Sequence, residues 1–284
     1  MIARAQTLYT SVKVYGFVFL SNHYHMLMSA SDGAELAQFL GYINSNIARE
    51  MGRIHRWRGK LWGRRASVIP VLDPEAMIER LRYVISNGVK EGLVPSPRDW
   101  PGASAVPGLL GDMTLSGTWI DRDGLRRARR RDRDADPAPF TSIQQLTLSP
   151  LPVWNDLTTN ELRDQHEALV HDVEEQARER GGPFLGVKQI LAQDPHDAPK
   201  APARRPAPQC HTSSALIRDA FRRLYAAFRS LFRSCAGARE RQPPREMGFP
   251  PGSFPRPAWF CSSADESPLK NLALDVAILR AVGS

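Results

Sequence analysis

Two small groups of residues in the first third of the chain have types and spacings that can carry chemistry. The first is His23-Tyr24-His25. In a strand, side chains at i and i+2 share a face, so both imidazoles can point at one ion while Tyr24 points the other way. Two neutral imidazoles form half of a metal site, although an HxH pair alone is a weak signal. The second group is a row on a helix. At about 100° per residue, Met77, Ile78, Leu81, Val84, Ile85 and Gly88 gather on one side, whereas Tyr83, Asn87 and Lys90 fall on the other. The spacing i, i+4, i+7 aligns these three as a polar row. It fits a functional face, and equally a surface tyrosine covering a loop.

Positioning these groups requires elements that the sequence pattern predicts. Val12 to Leu20 is a β-branched and aromatic run, Ser21-Asn22 can turn, and His23 to Ser29 alternates, which predicts a β-hairpin. Ala34 to about Ile54 places Leu36, Phe39, Leu40, Ile43, Ile47 and Met51 at spacings of mostly three and four, an amphipathic helix. Ala66 to Leu72 is predicted as a strand, with Pro70 demoting it to an edge or a strand end. Asp73-Pro74 then pairs an N-cap with proline at the first helical position, opening a helix that runs to about Asn87.

Proline is absent before Pro70, and seventeen of the 23 prolines lie from Pro137 onward, so regular structure is expected mainly in the first hundred or so residues. The run from Asp121 to Asp136 is too charged for a buried face and is predicted as a solvated linker or exposed helix. Thr158 to about Arg180 and Ser213 to about Cys235 are predicted helices. The second carries an apolar stripe, including Leu216, Phe221, Leu224, Tyr225 and Phe228, that is expected to dock on its own domain.

Composition narrows the class. With 284 residues, 42% hydrophobic and 24% charged, the chain is globular, and its apolar runs are too short for a membrane span. Three scattered cysteines give neither a disulfide framework nor a cysteine zinc site, and they fit a reducing cytosol. A net charge of +8 biases the chain toward polyanions.

The stretches YGFVFLSNHYHMLMS, GKLWGRRASVIPV and LRYVISNGVKEGLV, in this order, resemble the single-tyrosine HUH transposases, specifically the REP-associated tyrosine transposases of bacteria. The resemblance covers about residues 1–105 and includes Trp100-Pro101-Gly102 near its close. It implies an α+β fold, a ferredoxin-like antiparallel sheet with an HUH site, followed by a mostly helical, proline-rich C-terminal region. The implied divisions are 1–110 for the catalytic domain, 111–140 for a charged linker, 141–261 for a helical accessory region and 262–284 for an unrelated tail.

Carried over residue by residue, the resemblance makes His23 and His25 ligands of a divalent metal, Mg²⁺ or Mn²⁺. Asn87 completes the coordination, and Tyr83 is the nucleophile that forms a 5'-phosphotyrosine with single-stranded or hairpin DNA. Arg64, Arg65 and Lys90 are candidates for neutralising phosphates. Trp57, in the basic stretch HRWRGKLW, is a candidate stacking platform for bases, while Trp62 is expected to anchor its loop to the core. A homodimer and a cytoplasmic, nucleoid-associated location go with this reading. Two departures stand out. Asn87 is followed by Gly88 where many relatives have proline. The chain also begins after the strand and most of the helix that relatives carry first, which is expected to expose or misplace a central sheet edge. The alternative is a non-catalytic DNA-binding remnant of such a transposase.

Overall fold

The computed structural model describes residues 1–63, 65–197 and 208–241 together with the strand 274–280. The chain begins with α1 (Ile2–Leu8), the hairpin β1 (Lys13–Phe19) and β2 (His23–Ser29), α2 (Gly33–His55), β3 (Ser67–Pro70) and α3 (Pro74–Lys90). After the short α4 (Val106–Leu109), β4 (Thr114–Ile120) and β5 (Thr141–Thr147) flank α5 (Arg122–Arg131). Then come α6 (Thr159–Arg180), α7 (Val187–Ala192), α8 (Ala215–Arg241) and β6 (Leu274–Arg280). The result is a mixed α/β architecture with two small antiparallel sheets, ordered β1-β2-β6-β3 and β4-β5.

Local chemistry sets the helix starts. Asp32 caps α2 by accepting from the backbone N–H groups of Ala34 and Glu35, and Asp73 caps α3 by accepting from Ala76 just before Pro74. α6 opens on a reciprocal capping box between Thr158 and Glu161. The expected strand-strand-helix-strand-helix order of the first ninety or so residues is present, preceded by α1. α3 runs through Gly88 to Lys90 instead of stopping at Asn87.

The hairpin sorts side chains onto two faces. Tyr24 is fully buried and donates from its hydroxyl to Asn44 Oδ1 of α2 at 2.9 Å. His25, its neighbour in the strand, touches the ring of Tyr83 on α3. Strand alternation therefore puts α2 and α3 on opposite faces of the hairpin. α3 can approach closely because Gly16 of β1 lies beneath it: a Cβ at Gly16 would fall 2.5 Å from Leu81 Cδ1. Trp100 locks the end of the same helix. Its indole N–H donates to the carbonyl of Phe19 at 3.0 Å, and its ring lies against Gly88, where a Cβ would meet Cε3 at 3.0 Å.

β6 fills the space between β2 and β3, antiparallel to both. His23 stands opposite Arg280 and Tyr24 opposite Leu279 on one side; Ser67 stands opposite Ile278 and Ile69 opposite Asp275 on the other. The facing edges of β2 and β3 are thus both paired by a strand from the far end of the chain. An open edge offers a row of unsatisfied backbone groups to any extended segment within reach.

The second half departs from expectation in two places. The span assigned to a charged linker contains β4, which pairs with β5 from Thr114↔Thr147 to Ile120↔Thr141. Only its latter part is the exposed charged helix α5, tied to α2 through the Arg122–Glu50 ion pair at 3.0 Å. Among the described residues, part of the apolar stripe of α8 faces outward: Leu216 is 83% exposed and Leu224 61%. Its aromatics stack along their own helix instead, Phe221 on Tyr225 and Phe228 on Phe232.

Candidate active site

His23 and His25 share a sheet face, as the two-residue period requires, with ring centroids 5.0 Å apart and planes at 88°. His25 lies edge-on to Tyr83, centroid to centroid 5.3 Å. A strand and a helix that lie far apart in sequence therefore bring three aromatic rings into one contiguous chain. His25 is buried, whereas His23 and Tyr83 are half-buried at the border of the sheet. Two cations flank the Tyr83 ring: Arg80 with Cζ 4.9 Å from the centroid and Lys90 with Nζ 4.5 Å from it. Arg80 is one helical turn before Tyr83 and Lys90 two turns after, so the helix period explains both positions.

His23 is oriented by a neighbour that sequence reasoning treated only as a turn residue. Its Nδ1 meets Asn22 Oδ1 at 2.6 Å. With the amide oxygen as acceptor, Nδ1 carries the proton and the lone pair resides on Nε2. This arrangement is the one by which outer hydrogen bonds fix the tautomer of metal-binding histidines. The signal in the sequence was the asparagine directly before the histidine.

Asn87, placed by its spacing in a polar row with Tyr83 and Lys90, is buried. It is 1% exposed, and its amide donates to the carbonyls of Tyr83 at 2.7 Å and Val84 at 3.3 Å. A helix wheel shows one apolar face, but α3 is packed by the sheet on one side and by α6 on another. Val89 and Val94 meet Val173 and Ala177 of α6 there. With its nitrogen turned back along the helix, Asn87 has only Oδ1 to offer an ion.

The donor set can be tested against a divalent ion. The two adjoining imidazoles, with the tautomer held by Asn22, offer a pair of nitrogen donors to a divalent ion, whereas Asn87 is buried on the backbone of its own helix. Among the described residues, no group of three or more His, Cys, Asp or Glu side chains forms an all-protein cage. Nitrogen donors favour Mn²⁺, the softer of the two metals implied, because Mg²⁺ prefers oxygen ligands.

The other candidates are dispersed. Arg64 lies outside the described residues, and Arg65 is exposed just before β3. The Trp57 indole is half-buried and stacked against the imidazole of His196, 5.4 Å between centroids and 6° between planes. A base would have to displace His196 or use the opposite ring face. Trp62 anchors its loop as expected, donating to the carbonyl of Asn44 at 2.9 Å and lying edge-on to Tyr24.

Sequence reasoning also missed Arg80, Asn22 and the contribution of α6. The arginine was legible in principle, one turn before the tyrosine. The α6 wall was not, because nothing in a sequence pairs residues 90 positions apart. Among the described residues no helix is long and apolar enough to cross a membrane. No protein-family model, curated protein or solved structure matches this chain.

Proposed function

We propose that the protein is a metal-dependent, single-tyrosine endonuclease and strand transferase for single-stranded or hairpin DNA, of the REP-associated HUH type. The observation that carries this reading is the contact of His25, itself paired with His23, with the ring of Tyr83, flanked by Arg80 and Lys90. The finer fold reading, an HUH domain on a ferredoxin-like sheet, belongs to the same proposal. It is supported by the HxH strand, the tyrosine helix across it, and β6 in the gap between β2 and β3. Homodimer formation and a nucleoid-associated, cytoplasmic location accompany it as parts of the proposal.

Tyr83 Oη gives its proton to solvent water and attacks the scissile phosphorus in line, the P–O3' bond breaks, and the departing O3' takes a proton from water to leave a 3'-hydroxyl while the 5' end is held as a phosphotyrosine. The phosphotyrosine conserves the bond energy, so a 3'-hydroxyl can reverse the step and rejoin strands without an external energy source. Arg80 and Lys90 neutralise charge building on the phosphoryl oxygens. Asn22 holds the tautomer of His23, and the ring of Tyr83 is held between His25, Arg80 and Lys90. His23 and His25, with Asn87 as the resemblance implies, would hold a divalent ion, which would supply Lewis-acid polarisation of the phosphate.

The test is a denaturing gel of labelled single-stranded hairpin DNA incubated with Mn²⁺ or Mg²⁺. The wild-type chain gives a protein-linked band, and Tyr83→Phe removes it while leaving DNA affinity within about twofold. A band that persists in Tyr83→Phe moves the nucleophile elsewhere, with Tyr24 and Tyr42 the next candidates. DNA binding with no band from the metal-loaded wild type favours the non-catalytic reading.

A further inference from the structure

A cleft of about 380 Å³ opens between α3 and α6, and Tyr83 forms part of its wall. The volume lies at the lower end of the roughly 300–1,000 Å³ of small-ligand sites. Its floor is apolar, where Val89 of α3 meets Val173 and Ala177 of α6. Its polar lining includes Ser86 and, from the exposed surface of α6, Gln176. The cations Arg80 and Lys90 stand where the cleft reaches the Tyr83 ring.

The charges of the cleft are sorted. Arg180 donates to the carbonyls of Val89 at 2.8 Å and Lys90 at 3.0 Å, so it pins the end of α6 to the end of α3 and sets the width of the cleft. The carboxylate on the wall, Glu79, is paired with Arg82 at 3.6 Å. Among the described residues neither Arg80 nor Lys90 is in a salt bridge. An apolar floor, neutral hydrogen-bonding groups and two cations that sit over the tyrosine ring without an ion-pair partner among the described residues match a base joined to a phosphate. A free phosphate would leave the floor without a partner, and an apolar ligand would leave the cations without one.

We propose that this cleft seats the nucleotide adjoining the scissile phosphate of single-stranded DNA, so that α6, from the second half of the chain, forms one wall of the substrate site. The proposal rests on the reading of the protein as a single-strand DNA enzyme, and it adds the nucleotide subsite and a role for the C-terminal half. A phosphate brought to Tyr83 carries its neighbouring nucleoside into the adjacent concavity. There Gln176 can hydrogen-bond a base edge while Arg80 and Lys90 hold the phosphate.

The experiment measures binding and so does not depend on catalysis. Full-length chain is titrated into fluorescein-labelled twelve-residue oligothymidylate and read by anisotropy, with thymidine 3',5'-bisphosphate as competitor. Gln176→Trp fills the mouth of the cleft from an exposed helix position; Gln165→Trp places the same ring elsewhere on the exposed surface of α6 as control. The expected result is at least a tenfold loss of oligothymidylate affinity and loss of competition by the bisphosphate in Gln176→Trp, with Gln165→Trp within twofold of wild type. Oligothymidylate bound equally by both variants overturns the subsite while leaving the nuclease reading intact. No binding by the wild type overturns both. If circular dichroism shows that Gln176→Trp has lost its fold, the Arg80→Gln/Lys90→Gln double variant decides. A tenfold loss with a salt slope reduced by about 0.7 per removed cation supports the subsite, and unchanged affinity overturns it.

Discussion

Replacing Gly16 by alanine should loosen the seat of the nucleophile helix without touching a catalytic group. The new Cβ would lie 2.5 Å from Cδ1 of Leu81, a residue of α3 with no exposed surface. Carbon atoms pack at about 3.5–4.0 Å, so α3 must retreat by about 1 Å or Leu81 must leave its rotamer. Overpacking of this kind costs about 1–3 kcal/mol. The reduced entropy of the unfolded alanine chain returns about 0.4–1 kcal/mol. The net loss is therefore between about zero and 2.6 kcal/mol, centred on about 1.3 kcal/mol, measured as a lowered midpoint in urea. Because α3 carries Tyr83, the same retreat lengthens the 5.3 Å contact with His25, which an NMR ring-current shift at the imidazole reports. Leu81→Ala alone should cost about 2–5 kcal/mol through its cavity, but in the double variant the Gly16→Ala methyl enters space that Leu81 has vacated. The double variant should then be at least about 1 kcal/mol more stable than the sum of the singles. Additivity within about 0.5 kcal/mol, or an unchanged imidazole shift in Gly16→Ala, would refute the close approach of α3 to β1.

Two further perturbations test other parts of the fold. His166 is 2% exposed, and its burial lowers its pKa to about 4 despite a backbone hydrogen bond at Leu109. The unfolded chain takes up the proton first, so stability is complete above about pH 6.5 and falls toward pH 4, by about 2 kcal/mol at pH 5. Urea midpoints at pH 7 and pH 5 measure this, and an identical slope in His166→Gln would assign the loss to other groups. His211, pushed down to about 4 by burial and by Arg80, adds to the loss in the same direction. In β6, Ile278→Pro removes a backbone N–H from a strand flanked on both sides, opposite Ser67, and should cost about 3 kcal/mol. A thermal midpoint equal to wild type would mean that β6 does not complete the sheet.

Short-range periods made the local part of the site legible. The two-residue period of HYHMLMS places both imidazoles on one face whatever the strand packs against. The helical period sets Arg80, Tyr83 and Lys90 in one row, and Asp73-Pro74 fixes where that row begins. These relations hold within a single element, so backbone geometry alone decides them. The burial of Asn87 was not legible, because a helix wheel shows how residues are spaced but not how many neighbours the helix has. α6 covers a second side of α3 across 90 positions of sequence. The pairing of β4 with β5, the outward stripe of α8 and the insertion of β6 between β2 and β3 have the same origin. Edge strands accept any extended segment that can satisfy their backbone groups, and apolar stripes dock only where the core still offers surface. Which segment arrives, and which surface remains, is settled by the tertiary structure, because those contacts join residues whose separation leaves no periodic trace in the chain.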